Sequence, residues 1–340
     1  MKVFRPTYVK NFRCDGKLCD ARCCHDWNVV VDDATREKYS ELPAEAREEF
    51  FRHVTTLDGE NVLQMTPSGA CPFLDENFLC RLQIKHGENF LAAVCQSYPR
   101  VTFKIADEIF LQAMTLTCPV AATEILFGGK ISFETGELTA RMVFDFTKKI
   151  SMPAKKFLSE QRAGIEILQR RELPINERLR LLCEHFGEKI SASVEFDAES
   201  NAAALVEIFD EMYDANLTVE KKSRLIETFL SVREEILPLL KSFEPIAENY
   251  LVNEFFMRLY PCAFPGGERF NVRVFVTAWR AIEFAVILTA VSKSRLTVED
   301  FLELLCFISD KFDHSRGGMS AIKNFAELHD AEIFQALMMN

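Results

Sequence analysis

Thr117-Cys118-Pro119-Val120-Ala121-Ala122-Thr123-Glu124-Ile125-Leu126-Phe127-Gly128-Gly129 is where the chain changes character. Thr117 is a good helix cap, Pro119 suits a first turn, and glycine ends a helix well. The spacing therefore predicts a helix over Cys118–Phe127. Cys118 is the last of eight cysteines that begin at Cys14, and only three of the 11 cysteines, Cys183, Cys262 and Cys306, lie beyond it. We place a domain boundary at the Gly128-Gly129 pair. Residues 1–129 form a cysteine-rich metal-binding module, and residues 130–340 form a helical domain to which substrate or partner binding falls.

Upstream of the boundary the pattern is irregular around the cysteines. Val29–Val31 predicts a short strand, and Asp32 and Asp33 cap a helix through Tyr39. Pro43 opens another helix, to about His53. Val101–Met114 predicts a hairpin turning at Ala106-Asp107. Downstream, apolar residues recur at helical spacing. Helices are expected from Pro153 to Arg171 and after Pro174. Further helices are expected over Ala202–Tyr213, Val219–Leu237, Ile246–Leu259, Val272–Val291, Val298–Phe312 and Ser320–Met338. Thr297-x-x-Asp300 has the form of a capping box. The fold class is mainly α: a helical C-terminal domain with a small irregular N-terminal module containing a short hairpin.

The 340 residues include 48% hydrophobic and 27% charged side chains, with 30 Phe, which predicts an ordinary globular core rich in aromatics. A net charge of -11 lacks the basic footprint of a nucleic-acid binder and suits a lysine-bearing partner. No glycine pair is separated by one residue, so the Rossmann turn is absent, and no G-x-x-x-x-G-K-[ST] P-loop occurs either. No apolar run follows the first basic residues. Ala281–Val291 is too short to span a bilayer and contains Glu283. The expectation is a cytoplasmic protein without membrane contact. Thiols stay reduced there, so clustered cysteines read as metal ligands before disulfides.

The cluster is Cys14-x4-Cys19-x3-Cys23-Cys24, then Cys71-Pro72-Phe73-Leu74, Cys80, Cys95-x-x-Tyr98-Pro99-Arg100 and Thr117-Cys118-Pro119. Thiolates are soft anionic donors suited to iron and zinc. Four within eleven residues let one loop present several sulfurs, and the later ones close the site as the chain returns. The candidate ligands are Cys14, Cys19, Cys23, Cys24, Cys71, Cys80, Cys95 and Cys118. An iron–sulfur cluster of the 4Fe-4S type is the favoured occupant, with zinc as the alternative. Eight buried small hydrophobes or a disulfide framework are the plainer readings. His25 is an optional ligand or outer-shell donor, and Trp27 and Phe73 are expected to shield the site. Arg100, Arg170, Arg171 and Arg178 are candidates for holding an anion.

Tyr8-Val9-x-x-Phe12-x-Cys14-x4-Cys19-x3-Cys23-Cys24-x-x-Trp27 resembles the opening of bacterial flagellin lysine-N-methylases. Cys71-Pro72-Phe73-Leu74, Leu79-Cys80-Arg81-Leu82-Gln83, Cys95-x-x-Tyr98-Pro99-Arg100 and Cys118-Pro119 continue the likeness. It extends downstream to Gln169-Arg170-Arg171-x-x-Pro174 and Glu248-Asn249-Tyr250-Leu251-Val252-Asn253. The cysteine part is also similar to small cysteine-cluster proteins that chelate zinc or iron without methylating anything. The resemblance implies methylation of flagellin lysines with S-adenosylmethionine as donor. The alternative is a non-catalytic iron–sulfur or zinc module, either a metal or redox sensor or an interaction scaffold.

That chemistry sets requirements. A lysine with a pKa of about 10.4 must lose a proton before it attacks a methyl group. No single base is picked out, and no donor site. Radical enzymes that cleave the same donor use C-x3-C-x2-C; here Cys19-x3-Cys23 supplies the first half and Asp26 stands at the third position.

Overall fold

The hairpin expected over Val101–Met114 forms the middle of a sheet. A computed structural model describes residues 1–15, 19, 21–188, 198–293, 296–314 and 317–328. The chain opens with strand β1 (Lys2–Pro6), helix α1 (Thr7–Asn11) and strand β2 (Val29–Val30). Helices α2 (Asp33–Ser40) and α3 (Ala44–Arg52) lead to strands β3 (Val54–Leu57) and β4 (Glu60–Leu63). After helices α4 (Arg81–His86) and α5 (Ala93–Ser97) come strands β5 (Arg100–Ala106) and β6 (Ile109–Met114) and helix α6 (Pro119–Phe127). Strands β7 (Phe133–Glu137) and β8 (Phe144–Asp145) follow. The rest is helical: α7 (Ala154–Leu168), α8 (Ile175–His185), α9 (Ala198–Tyr213) and α10 (Val219–Ser242), then α11 (Glu244–Met257), α12 (Gly267–Lys293), α13 (Val298–His314) and α14 (Gly318–Leu328). Helix takes 58% and strand 13%, so the chain is mainly α.

The N-terminal part carries more sheet than its sequence suggests. A five-stranded sheet has the order β7-β1-β6-β5-β8, with β1 parallel to β6 through Val3 opposite Phe110 and Phe4 opposite Leu111. Strand β6 is buried on both faces from Phe110 to Met114, as a central strand must be. A second sheet, β2-β4-β3, is antiparallel. Its β3–β4 hairpin turns on Asp58-Gly59, both at positive φ (49° and 85°), the two-residue turn that Asp-Gly favours.

Two cap assignments hold and one does not: Thr117 does not cap α6, whose N-cap is Cys118 without a side-chain bond, because the Thr117 hydroxyl is taken by Tyr98 and Thr115. The Asp32 side chain accepts the Thr35 N–H and starts α2. Thr297 accepts the Asp300 N–H, and Asp300 accepts the Thr297 N–H, closing the capping box of α13. Three of the later helices run past their expected ends, α13 by two residues to His314. Helix α10 continues through Pro238 to Ser242, giving up one backbone bond at the proline. Helix α12 spans 27 residues, long and apolar enough to cross a bilayer by length and composition. However, 72% of its apolar window is buried inside the fold, as in a core helix. The helix expected to reach Met338 is seen to Leu328, and residues 329–340 lie outside the described ones.

Helix α11 is the axis of the packing. Every residue from Ile246 to Met257 is buried. It packs on α6, α7 and β6 as well as on α8 and α10. Phe256 meets Phe4 of β1 and Phe133 of β7, and the Phe255 ring packs so tightly on Gly164 of α7 that an added Cβ would come within 2.5 Å of it. One hydrophobic core thus runs from Tyr8 to Ala326. A smaller one, around Val29, Tyr39, Phe50 and Phe73, supports the cysteine loops.

Candidate metal centre and its cavity

Four local devices bring the cysteines together. Cys23 and Cys24 share one tight turn entered through Ala21 at φ 50°. The next residues are stitched to the segment before Cys71: the Asp26 N–H donates to Gly69 O at 2.9 Å, and the Cys71 N–H donates to Cys24 O at 2.7 Å. Position 69 must be glycine, since its φ is +81° and a Cβ there would meet the Asp26 carboxylate at 1.9 Å.

Cys71 and Cys80 bracket a loop closed on itself. Leu74 bridges Cys80, and the Asp75 carboxylate accepts the N–H groups of Asn77 and Leu79 at 2.9 and 2.8 Å. Cys95 lies on α5, and Cys118 precedes α6. The two segments are tied by the Tyr98 hydroxyl to Thr117 Oγ1 at 3.0 Å and by the Thr115 N–H to Pro99 O at 3.0 Å. Finally, Arg100 holds the turn that ends in Cys14, donating to Val9 O and Phe12 O at 3.3 and 2.9 Å.

The result is a single cavity of about 1220 Å³ whose wall includes all eight of these cysteines. Pockets for one small molecule run to roughly 300–1,000 Å³, so this one has room for more than one group. Trp27 lines it and donates its indole N–H to Cys23 O. Phe73 is fully buried behind the wall, against Phe50. His25 does not line the cavity; its Nδ1 lies 3.1 Å from Ala21 O. Cys183, Cys262 and Cys306 are packed in the main core and do not line it.

The thiols affect one another. Burial is the first cause that raises the pKa of Cys14, Cys71, Cys80, Cys95 and Cys118, the last to about 12, and neighbouring cysteines add to it in every case. Cys24 is raised by its hydrogen bond with Cys23, and Cys23 is lowered by the same bond. Cys23 is the common neighbour, felt by Cys14, Cys24, Cys71, Cys80, Cys95 and Cys118. Backbone N–H groups work the other way. Those of Val120 and Ala121 point at Cys118, those of Leu82 and Gln83 at Cys80, and that of Phe73 at Cys71. Such donors stabilise thiolate and tune a bound cluster. Among the described residues, no three metal-ligating side chains converge on one point at bonding distance.

Of the arginines considered for anion binding, two serve the core. Arg171 and Arg178 both grip the buried Glu248, at 2.9 and 2.8 Å. The two downstream segments of the family likeness therefore meet each other. Asn249 completes that contact by donating to Leu126 O and Gly129 O, the open end of α6. Arg170 is exposed. Arg100 remains on the cavity wall.

Residues 194–339 match the family model for the FliB lysine N-methylase C-terminal domain. A 130-residue stretch, 36% of this chain, is 31% identical to the flagellar biosynthetic protein FliU of Salmonella muenchen and covers 76% of that protein. The chain belongs to the FliB lysine N-methylase family. Two lysine-N-methylases, from Salmonella choleraesuis (strain SC-B67) and Salmonella typhimurium (strain LT2), are also 31% identical over 130 residues. The match spans only 32% of each of those two proteins. No solved structure matches the chain. Within the FliB family match lie α9 to α14, whereas the eight-cysteine cavity lies outside it.

Proposed function

We propose that this chain is a cytoplasmic protein-lysine N-methyltransferase acting on flagellin lysine side chains, with S-adenosylmethionine as methyl donor. Four of the eight cysteines bind an iron–sulfur cluster of the 4Fe-4S type, one thiolate to each iron, and the other four are enough for a second metal site. The observation that carries the reading is the single cavity walled by all eight thiols in a member of the FliB lysine N-methylase family. Eight thiols around one cavity of about 1220 Å³ are more than one zinc ion uses, and they favour a multi-atom cluster. Crowded thiols that resist ionisation singly are stabilised together as thiolates by a highly charged, soft cation.

When bound, the cluster supplies a redox-active iron centre to the cavity. The chain's own residues do the rest. Backbone N–H groups at Cys71, Cys80 and Cys118 hold the sulfurs, and Trp27 covers one side. The carboxylates of Asp15, Glu88 and Glu137 line the same space and are the candidates for taking the substrate ammonium's proton. A net charge of -11 favours docking of a lysine-bearing surface.

Mass spectrometry of flagellin from cells with and without this chain tests the reading. Lysine mass gains in steps of one CH₂ are expected. Unmodified flagellin beside a fully metallated protein would instead favour a binding module without catalysis.

A further inference from the structure

The cavity has a second chemistry besides its thiols. Lys10, Arg13 and Arg100 lie on its wall together, next to Cys14, in a chain whose net charge is -11. Two other cations there are already neutralised: Arg5 pairs with Glu134 at 3.0 Å and Arg141 with Asp32 at 3.1 Å. Among the described residues, no carboxylate stands within 4.0 Å of Lys10, Arg13 or Arg100 as an ion-pair partner.

Arg100 is the best held of the three. Its Nε and Nη2 donate to Val9 O and Phe12 O, and its guanidinium lies over the Phe12 ring, 5.0 Å from the centroid. Those contacts fix the plane of the group and leave Nη1 uncommitted. Arg13 uses only Nη1, for carbonyls of its own turn. Burial lowers the pKa of Arg100; Glu88 opposes this, and Arg13 and Arg5 reinforce it. Like charges are thus held close together beside a cavity, an arrangement that a bound anion relieves. A fixed guanidinium with a free edge matches a planar carboxylate best.

We propose that Arg100, backed by Arg13 and Lys10, forms an anion subsite that takes the α-carboxylate of the methyl donor's amino-acid half. The assignment rests on the donor reading given above. It explains why a thiol-lined cavity has a cationic edge, and it places the donor's amino-acid end beside Cys14.

Calorimetry on the anaerobically purified, metal-loaded chain tests this with two probes: S-adenosylhomocysteine and its carboxamide, which lacks the anionic charge. The wild type should prefer the acid. Arg100→Gln should weaken the acid roughly 10- to 100-fold, the worth of a charged hydrogen bond, and leave the amide within about twofold. Arg100→Lys should restore part of the loss. Arg13→Gln loses only contacts within its own turn, so it guards against a folding defect; it should weaken the acid roughly twofold to fivefold. Equal binding of acid and amide by the wild type, or unchanged acid binding in folded Arg100→Gln and Arg13→Gln, would overturn the subsite alone. A wild type that ignores both probes would overturn the donor reading with it.

Discussion

Thr115 donates its hydroxyl to the Asp313 carboxylate at 2.8 Å, joining the segment before Cys118 to helix α13. Asp313 in turn accepts from Arg258 at 2.8 Å, and Arg258 donates to Glu254 at 2.6 Å. Glu254 accepts from Asn253, which holds the Tyr8 hydroxyl. On the other side Thr115 touches Thr117, the partner of Tyr98. A polar chain therefore threads from the cavity wall through the helical core and back to α1. Against burial, which disfavours its charge, Glu254 and Asp313 raise the pKa of Arg258.

Asp313→Ala should therefore loosen both sides of the junction at once. Removing one partner of a buried ion pair costs about 3–5 kcal/mol. The Asp313 side chain is 17% exposed, and Arg258 keeps Glu254, so about 2 kcal/mol is expected. Urea unfolding should show a lower midpoint with an unchanged slope.

Glu248→Gln should be worse. Glu248 and Arg178 have side chains only 1% and 3% exposed, so the variant leaves a buried guanidinium with Glu244, at 3.9 Å, as its remaining carboxylate. A loss of roughly 3 kcal/mol is expected, and Arg178→Met combined with it should cost less than the two single losses added. Strict additivity in the double-mutant cycle would mean the pair is not coupled.

Cys23→Ala should lower iron and acid-labile sulfide per chain more than any other single cysteine change, because six of its fellow thiols feel Cys23. Cys306→Ala removes a small core group and should keep the metal content. Metal analysis after anaerobic purification decides it. Loss in Cys306→Ala with retention in Cys23→Ala would place the ligands elsewhere.

The capping box of α13 has a pH signature. Lys293 and the N–H and hydroxyl of Thr297 hold the Asp300 carboxyl at about 2, below an unfolded aspartate. A depressed acid contributes stability above its unfolded pKa and loses it as pH falls through the folded one. The Tm gap between wild type and Asp300→Ala should be constant above pH 5 and shrink from pH 4 to pH 2. A gap that widens on acidification would contradict the assignment.

What was legible in the sequence was what local chemistry decides. Helices α7 to α13 announce themselves by period and caps, and the eight cysteines by crowding alone. What was missed depends on distant partners. Nothing in Lys2–Pro6 says that it lies between β7 and β6, more than a hundred residues away. The β3–β4 hairpin was missed although its signal is local: Asp58-Gly59 between Val54–Leu57 and Glu60–Leu63 is a strong turn signal. Arg171 and Arg178 read as candidates for holding an anion because the carboxylate they grip sits seventy or more residues on, at Glu248. The cationic wall was half legible, in Arg100 but not in Lys10 or Arg13, which the fold gathers beside it.

Helix α11 has no side that belongs to water. The stretch shared with the family's C-terminal domain begins at residue 194, so it includes α11 and omits α6, α7 and β6. A fragment cut there would leave Phe255 without Gly164, Phe256 without Phe4 and Phe133, and Asn249 without the end of α6. Such a piece would bare a greasy stripe and clump with its copies. Kinship and autonomy thus have different borders in this chain: what is inherited as a recognisable block cannot stand up by itself.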